Sequence, residues 1–413
     1  MKVKKIIAVC LALVIFSGAA AGCSESERPG SRVILTAGDG TEYTEGIYAY
    51  YVNYYAYQTY ATVYAYYNTG TAYQSQYDSV DDFYQAYISQ TYSVSDTETD
   101  YYYNYLKALA MESFLQYIIV ERKFDEYGLK LTDAQQAEID AQYKSSVDSV
   151  GTQNVSTICS KLGITSEDLK SCMVANSYKR TLLTNAIVGE GGESEITDES
   201  MHKRYEDNYK RFKYCVFSKV DEDGNALSVS ETAELNAKIN EAFELAESGG
   251  SFEDIIRQYS EAYLQVSEDD SEDEAEEKET TNEQMLNIGL IIDQNGIYDN
   301  TVYSLYGSVV DPEITERVFE MQNGEVDMIE LDTAVWIIKN YDINENEECY
   351  ETRAADIFSD MSSSVMTQKF SLWARDLDYT VNEEVTGSYD IRTLDIVFMA
   401  AGTGQTEPAT ATE

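Results

Sequence analysis

The chain is poor in histidine and in positive charge. It has one histidine and six cysteines, and 29 Lys and Arg stand against 74 Asp and Glu, a formal net charge of −45. The lone His202, between Met201 and Lys203 on a polar helical stretch, is a surface residue by composition of its neighbours and not a catalytic candidate. Cys10, Cys23, Cys159, Cys172, Cys215 and Cys349 include no CxxC pair, so with one histidine no metal-site pattern emerges and no metal or cofactor is expected. The shortage of cations argues against nucleic acid as a partner and against adhesion to anionic lipid. It favours solubility beside a negatively charged envelope, or attraction to basic partners. The apolar run Ile6 to Phe16 is too short to span a bilayer.

That run belongs to an N-terminal targeting segment, residues 1–22. Lys2, Lys4 and Lys5 form a positive start ahead of the apolar stretch. Ala20-Ala21-Gly22-Cys23 resembles a bacterial lipobox, which implies acylation of Cys23 and a mature chain tethered to the outer face of a membrane. An ordinary cleaved signal with an incidental cysteine is the other reading. Loss of the three lysines takes the net charge from −45 to −48 (−45 minus 3). Residues 23–30 read as a polar tether.

The remaining length suggests two or three domains, and 43% hydrophobic content is ample for real cores. Residues 31–210 read as a helical domain opened by a small hairpin, with Gly38-Asp39-Gly40 at its turn. From Tyr43 to Tyr105 lie 20 of the 36 tyrosines. Tyr50, Tyr54, Tyr57, Tyr60, Tyr64 and Tyr67 follow helical spacing and define one stripe that can face a core, with Tyr48, Tyr51, Tyr55 and Tyr66 off it. Two readings stand: tyrosine as core filler, or a tyrosine surface that grips peptides. Helix stop-and-start signals recur at Gly128 to Asp133, at Gly163 to Glu167 and at Ile196 to Glu199. Thr132 followed by Gln135 has capping-box spacing, and the helices that follow suggest a bundle. Cys159 and Cys172 are either bridged or two buried thiols.

Residues 211–342 change character. Phe212 to Phe217 reads as a strand, about Val229 to Ser248 as a helix, and Ser251 to Tyr259 as a second helix entered after Gly249-Gly250. Residues 267–283 are an acidic insert, with nine acids in the twelve residues from Glu268 to Glu279, expected to be disordered by self-repulsion. A calcium site is the sharper alternative, although the D-x-D-x-D-G pattern is absent. Pro312 opens a helix at its first turn, Gln322-Asn323-Gly324 closes it, and Ala334 to Ile338 is a plausible buried strand. Cys349 to Asp378 reads as one amphipathic helix within the segment 343–384, and 385–413 as a mostly disordered tail, with Ser388 to Met399 a candidate strand and Ala400 to Glu413 its disordered end.

Pro312, Val318-Phe319, Gly324-Glu325-Val326 and Ile337-Ile338-Lys339 resemble the closing part of a parvulin-type prolyl isomerase domain. Ser251-Phe252 through Tyr259-Ser260, and Ile288-Gly289-Leu290, resemble earlier motifs of that domain, the latter lacking one glycine. With the stop-and-start signals before them, the order resembles the PrsA/SurA class of extracytoplasmic foldases. The fold this implies is α+β: a mainly helical cradle of N- and C-terminal segments, carrying an inserted parvulin-like domain, with 343–384 returning to the N-terminal helices. The function it implies is a membrane-anchored chaperone of unfolded or partly folded exported proteins, outside the cytoplasm.

The isomerase chemistry of that family uses a His in the first strand, a Cys or Asp after the Tyr-Ser element and a His in the last strand. Here those positions carry Tyr214, Ala262 and Trp336, with Glu261 a neighbouring polar alternative. The proline socket would be lined by Val310, Ile314, Phe319, Tyr214 and Trp336. The socket is apolar, but the polar network is not kept, so isomerase activity is expected to be weak or lost. A ligand-binding or structural surface lipoprotein is the competing reading.

Overall fold

The structure, a computed structural model, describes residues 28–94, 99–221, 223–267, 270–296 and 309–397. The targeting segment, Cys23 and the end of the tail lie outside the described residues. In chain order the first elements are β1 (Val33–Thr36), β2 (Glu42–Thr44), α1 (Glu45–Thr69), α2 (Thr71–Gln76), α3 (Val80–Ile88), β3 (Thr91–Ser93) and β4 (Thr99–Tyr101). Then come α4 (Tyr102–Glu126), α5 (Asp133–Val150), α6 (Thr152–Leu162), α7 (Ser166–Lys170), α8 (Asn176–Val188) and α9 (Asp198–Asn208). The middle of the chain forms β5 (Tyr209–Ser218), α10 (Val229–Glu247), α11 (Phe252–Tyr259), α12 (Glu272–Asn287) and β6 (Leu290–Asp293). It closes with α13 (Pro312–Glu320), β7 (Val326–Glu330), β8 (Ala334–Tyr341), α14 (Glu347–Asp376), β9 (Thr380–Val381) and α15 (Glu383–Gly387). The class is α+β and mainly helical.

Two compact units divide the chain: residues up to Ser194 with those from Ser364 onward, and Glu195–Ser363. In the first, helix starts are written as caps. Thr132 and Thr165 each accept from the backbone three residues on, while Gln135 and Asp168 reach back, two complete capping boxes. Gly163, with φ +68°, ends α6, and a Cβ there would land on the Pro29 carbonyl. The β1–β2 hairpin is joined on its other edge by β9, with Leu35 opposite Val381. Arg32 forks onto the Glu45 carboxylate at 2.6 and 2.9 Å, and the Tyr389 hydroxyl donates to the same carboxylate at 2.9 Å. All four described cysteines are free thiols, so Cys159 and Cys172 are not bridged.

The tyrosine stripe is corrected in part: Tyr50 and Tyr60 are buried and Tyr57 and Tyr67 half-buried, as expected, but the rest of the stripe is not. The buried line of α1 is Tyr48, Val52, Ala56, Tyr60 and Val63, whereas Tyr54 and Tyr64 are each 39% exposed. Tyr60 belongs to both lines and Tyr50 is buried as well, so the buried face is turned from the tyrosine stripe by about 100° and is not opposite it. The seam that α1 makes with α4, where Ala110 is fully buried, takes small Val and Ala side chains more readily than rings. Tyr48 reaches the core between Phe114 and Tyr389, with ring centroids at 6.1 and 5.3 Å.

In the second unit, four antiparallel strands lie in the order β6-β5-β8-β7. One apolar cluster joins this sheet to α10, α11, α12 and α13. The acidic insert is also corrected: from Glu272 it is the helix α12. Ser271 caps it in a box with Glu274, and its first turn carries Glu272, Asp273 and Glu274, where carboxylates meet the positive end of the helix dipole. Arg211 donates to the Asn287 and Ile288 carbonyls at 2.7 and 2.8 Å at its other end. Asn282, Met285 and Leu286 are buried, which anchors the helix to the sheet unit.

Two C-terminal expectations change as well. The first half of α14 packs within the second unit, where Cys349, Tyr350 and Ile357 cluster with Tyr205, Ile291 and Ile343. Its later part belongs to the first unit, and there Trp373 meets Tyr127 at 6.4 Å. The candidate strand over 388–399 does not form among the described residues; 388–397 pack as turns, with Ile391, Ile396 and Val397 buried, because their apolar side chains fill the tyrosine core and its neighbour.

Candidate functional site

The residues implied by the parvulin resemblance come from the centre of the sheet. Tyr214 on β5 stands opposite Ile338 on β8, and Val216 opposite Trp336. Side chains alternate across a strand, so Tyr214, Val216, Trp336 and Ile338 share one face. The Tyr214 and Trp336 rings form a diagonal pair there, with centroids 4.7 Å apart and planes at 33°. Tyr214 is 1% exposed and Trp336 6%. Val310, just before α13, and Ile314, in its first turn, are buried in the same cluster. Asp311 caps that helix and Pro312 occupies its first turn, which fixes Ile314 toward the sheet.

Ala262 reaches the cluster by a different route. β6 pairs only with the start of β5, and further along the segment Ser260–Ala262 takes over that edge. Val216 donates from its backbone to Ser260 Oγ at 3.2 Å, and the Glu261 backbone donates to the Val216 carbonyl at 3.0 Å. The Glu261 carboxylate accepts from the Ser218 backbone at 2.9 Å, so it closes the strand end. Ala262 itself is 3% exposed.

The fold therefore brings Tyr214, Ala262, Trp336, Val310 and Ile314 together, but as core. Phe319 is the exception. It is half-buried and lines an open groove of about 490 Å³ with Gln294, Asn295, Pro312, Thr315 and Glu316. Neither Tyr214 nor Trp336 reaches that groove's wall. Cys215, the thiol nearest this region, is fully buried and burial pushes its pKa up to about 12, so it is not a nucleophile at neutral pH.

The opposite face of the sheet holds a charged cluster that the sequence reading did not single out. Lys213 and Lys339 are directly opposite in register, an unfavourable pairing of like charges. Lys213, almost fully buried, is held by Glu253 of α11 at 2.5 Å, and the Tyr341 hydroxyl donates to the same carboxylate at 3.3 Å. The Tyr341 ring lies 4.7 Å from the Lys213 ammonium, 5.3 Å from the Arg211 guanidinium and 5.4 Å from the Lys339 ammonium. Burial opposes ionisation of Glu253, but the Lys213 hydrogen bond and charge outweigh it and hold the carboxyl below its usual range. The signal that could have found this cluster is the period-two placement of Arg211 and Lys213 on one face of β5, opposite Lys339 and Tyr341. Among the described residues no group of three acidic, His or Cys side chains is placed to hold a metal ion.

His202 lies on α9, its Nδ1 3.0 Å from the Asp198 carbonyl and its ring stacked 3.6 Å from that of Tyr350. The Asp198 backbone contact, with the Asp198 and Glu347 carboxylates, raises its pKa. It does not join the Tyr214 cluster.

These features define a mainly helical α+β chain with a four-stranded antiparallel sheet flanked by helices. No protein-family model matches the chain, and no curated protein does. Solved structures do match, PrsA foldases among them. The crystal structure of the peptidylprolyl isomerase PrsA from Bacillus cereus shares 15% identity over 76% of this chain and 100% of its own, with a TM-score of 0.27. PrsA from Bacillus subtilis shares 16% over 70% and 92%, with a TM-score of 0.19. The foldase PrsA from Streptococcus pneumoniae shares 15% over 76% and 100%, with a TM-score of 0.23. Likeness at this level carries no functional weight on its own.

Proposed function

We propose that the chain is a PrsA-type extracytoplasmic foldase, anchored through Cys23, that holds unfolded exported polypeptides and has lost most or all prolyl isomerase activity. The reading starts from the order of parvulin-like and foldase-like motifs in the sequence. The observation that carries its second half is the closed aromatic pair: Tyr214 and Trp336 are 1% and 6% exposed where the resembled enzymes keep histidines.

Rotation about an Xaa–Pro bond faces a barrier of about 18–20 kcal/mol. Lowering it requires a socket for the proline ring and hydrogen bonds that favour the twisted amide. With Tyr214, Val310, Ile314 and Trp336 packed on one another, a proline ring has no place among them. Chaperone action needs neither. It needs exposed contact area with weak, reversible affinity, and the first unit offers tyrosines with large rings and polar tips.

Aggregation of a chemically unfolded, secreted client, followed by light scattering, tests the holding function. The full chain is expected to lower the scattering in proportion to its concentration. Equal scattering with and without the chain would remove the chaperone reading and favour a ligand-binding or structural surface role.

A further inference from the structure

From Tyr43 to Leu106 the chain carries 20 tyrosines, seven Asp or Glu, and no Lys or Arg. α2 and α3 both pack on α1, and the end of α1 together with them is termed the tip. Tyr64 and Tyr66, on nearly opposite sides of the end of α1, and Tyr73 of α2 are 39%, 49% and 40% exposed there, so a segment that meets all three wraps around the end of the helix. The tip is not a loose set of rings. Tyr73 and Tyr77 stack on the buried Phe83 ring at centroid distances of 4.7 and 4.9 Å, and the Tyr67 ring lies 6.4 Å from it. Asp78, Asp81 and Asp82 are exposed beside this cluster, and Asp81 also accepts from the Tyr60 hydroxyl at 2.9 Å.

A tyrosine face is electron-rich and attracts ammonium and guanidinium groups. The chain makes such pairs elsewhere in the same unit: Arg392 lies 4.5 Å over Tyr103 and Arg180 5.0 Å over Phe370. Among the described residues no cation lies over Tyr64, Tyr66 or Tyr73. Partly exposed rings, adjacent carboxylates and the absence of Lys and Arg from this stretch of sequence complement one chemistry.

We propose that this tip is a docking surface for lysine- and arginine-rich segments of unfolded polypeptide. The inference rests on the foldase reading and names the class of segment such a chaperone would hold. The carboxylates attract the cationic segment, and the rings select it over other positively charged solutes by stacking. Each ring–cation pair at an exposed site is worth about a two- to fivefold gain in affinity. Loss of three therefore weakens binding by about tenfold or more.

The test is fluorescence anisotropy of the full chain with a labelled peptide of five Gly-Ser-Arg repeats, and with its Gly-Ser-Glu counterpart. The Arg peptide is expected to bind and the Glu peptide not. Tyr64→Leu/Tyr66→Leu/Tyr73→Leu, which keeps apolar area but removes the rings, is expected to weaken binding about tenfold. Phe at the same three positions is expected to hold it within about twofold, since the ring face remains. The Phe variant also checks that the tip stays folded. Equal binding by the Leu variant would show that net charge alone holds the peptide and would overturn the proposal, as would no binding by the parent chain. Suppression of client aggregation without Arg-peptide binding would sink this inference and leave the foldase reading standing. Peptide binding that follows the ring substitutions, without aggregation suppression, would do the reverse.

Discussion

Trp336→Ala probes whether the aromatic pair is core. Trp336 is 6% exposed, packs 4.7 Å from Tyr214 and sits between Val335 and Ile337 on the central strand β8. Removing a buried Trp side chain costs about 3–5 kcal/mol, from lost transfer energy and the cavity left behind. The neighbours Ile314 and Ile338 are fully buried and fixed by a helix and a strand, so collapse into the space is limited and the upper half of that range applies. With a urea m-value of about 2 kcal/mol/M, the midpoint of the second unit's unfolding falls by about 2 M. Trp373 is the chain's other tryptophan and belongs to the first unit, so its fluorescence does not report this loss. Hydrogen exchange of the β5 amides, 209–218, does. A loss below about 1 kcal/mol would show that the ring is dispensable to the core and that the face can open, contrary to the closed-socket account.

Three further outcomes follow from particular contacts. Glu253→Gln strands the nearly buried Lys213 ammonium and is expected to cost on the order of 2 kcal/mol, less than for a fully buried pair because Glu253 is a third exposed. The Glu253 pKa is depressed in the folded state, so its stabilisation is present above the unfolded value of 4.5 and is lost as pH falls through the lower folded value. The parent should therefore lose urea resistance on acidification below that value more steeply than the Gln variant. Ser271→Ala removes the box that starts α12 and is expected to cost about 1 kcal/mol, read as faster amide exchange over 272–280. Unchanged exchange there would mean that Met285 and Leu286 alone hold the helix. Cys23→Ala is expected to move the expressed protein from the detergent phase to the aqueous phase on Triton X-114 partition, and partition that does not change would remove the lipid anchor.

What was legible in the sequence was mostly local. Thr132 with Gln135, Pro312 at a helix start and Gly128 at a helix end each specify their own backbone neighbourhood, and the elements formed there. The amphipathic pattern from Cys349 likewise matches α14 to within two residues at each end. What failed depended on partners distant in the chain. Nothing in the composition of 267–283 reveals that Arg211, some 76 residues before, meets the carbonyl end of α12. The stripe on α1 was only partly right because it was read from the spacing of tyrosines alone, whereas the buried face also takes the small Val52, Ala56 and Val63. The segment with Ile391 and Ile396 read as a candidate strand, and its packing without one was not legible because its core lies more than 270 residues upstream, around Tyr48, Phe83 and Phe114. At the Tyr214 site the apolar residue types are plain in the sequence, but only the register of β5 with β8 puts Tyr214 and Trp336 on one face.

Exchange NMR of a short Xaa-Pro peptide, with the full chain in slight substoichiometric amount, tests the central claim most directly. The account expects cis/trans interconversion at the uncatalysed rate, tens to hundreds of seconds, with peptide resonances broadened by weak binding. Exchange accelerated into the subsecond range would contradict it, since a working proline socket cannot coexist with Tyr214 and Trp336 packed as core.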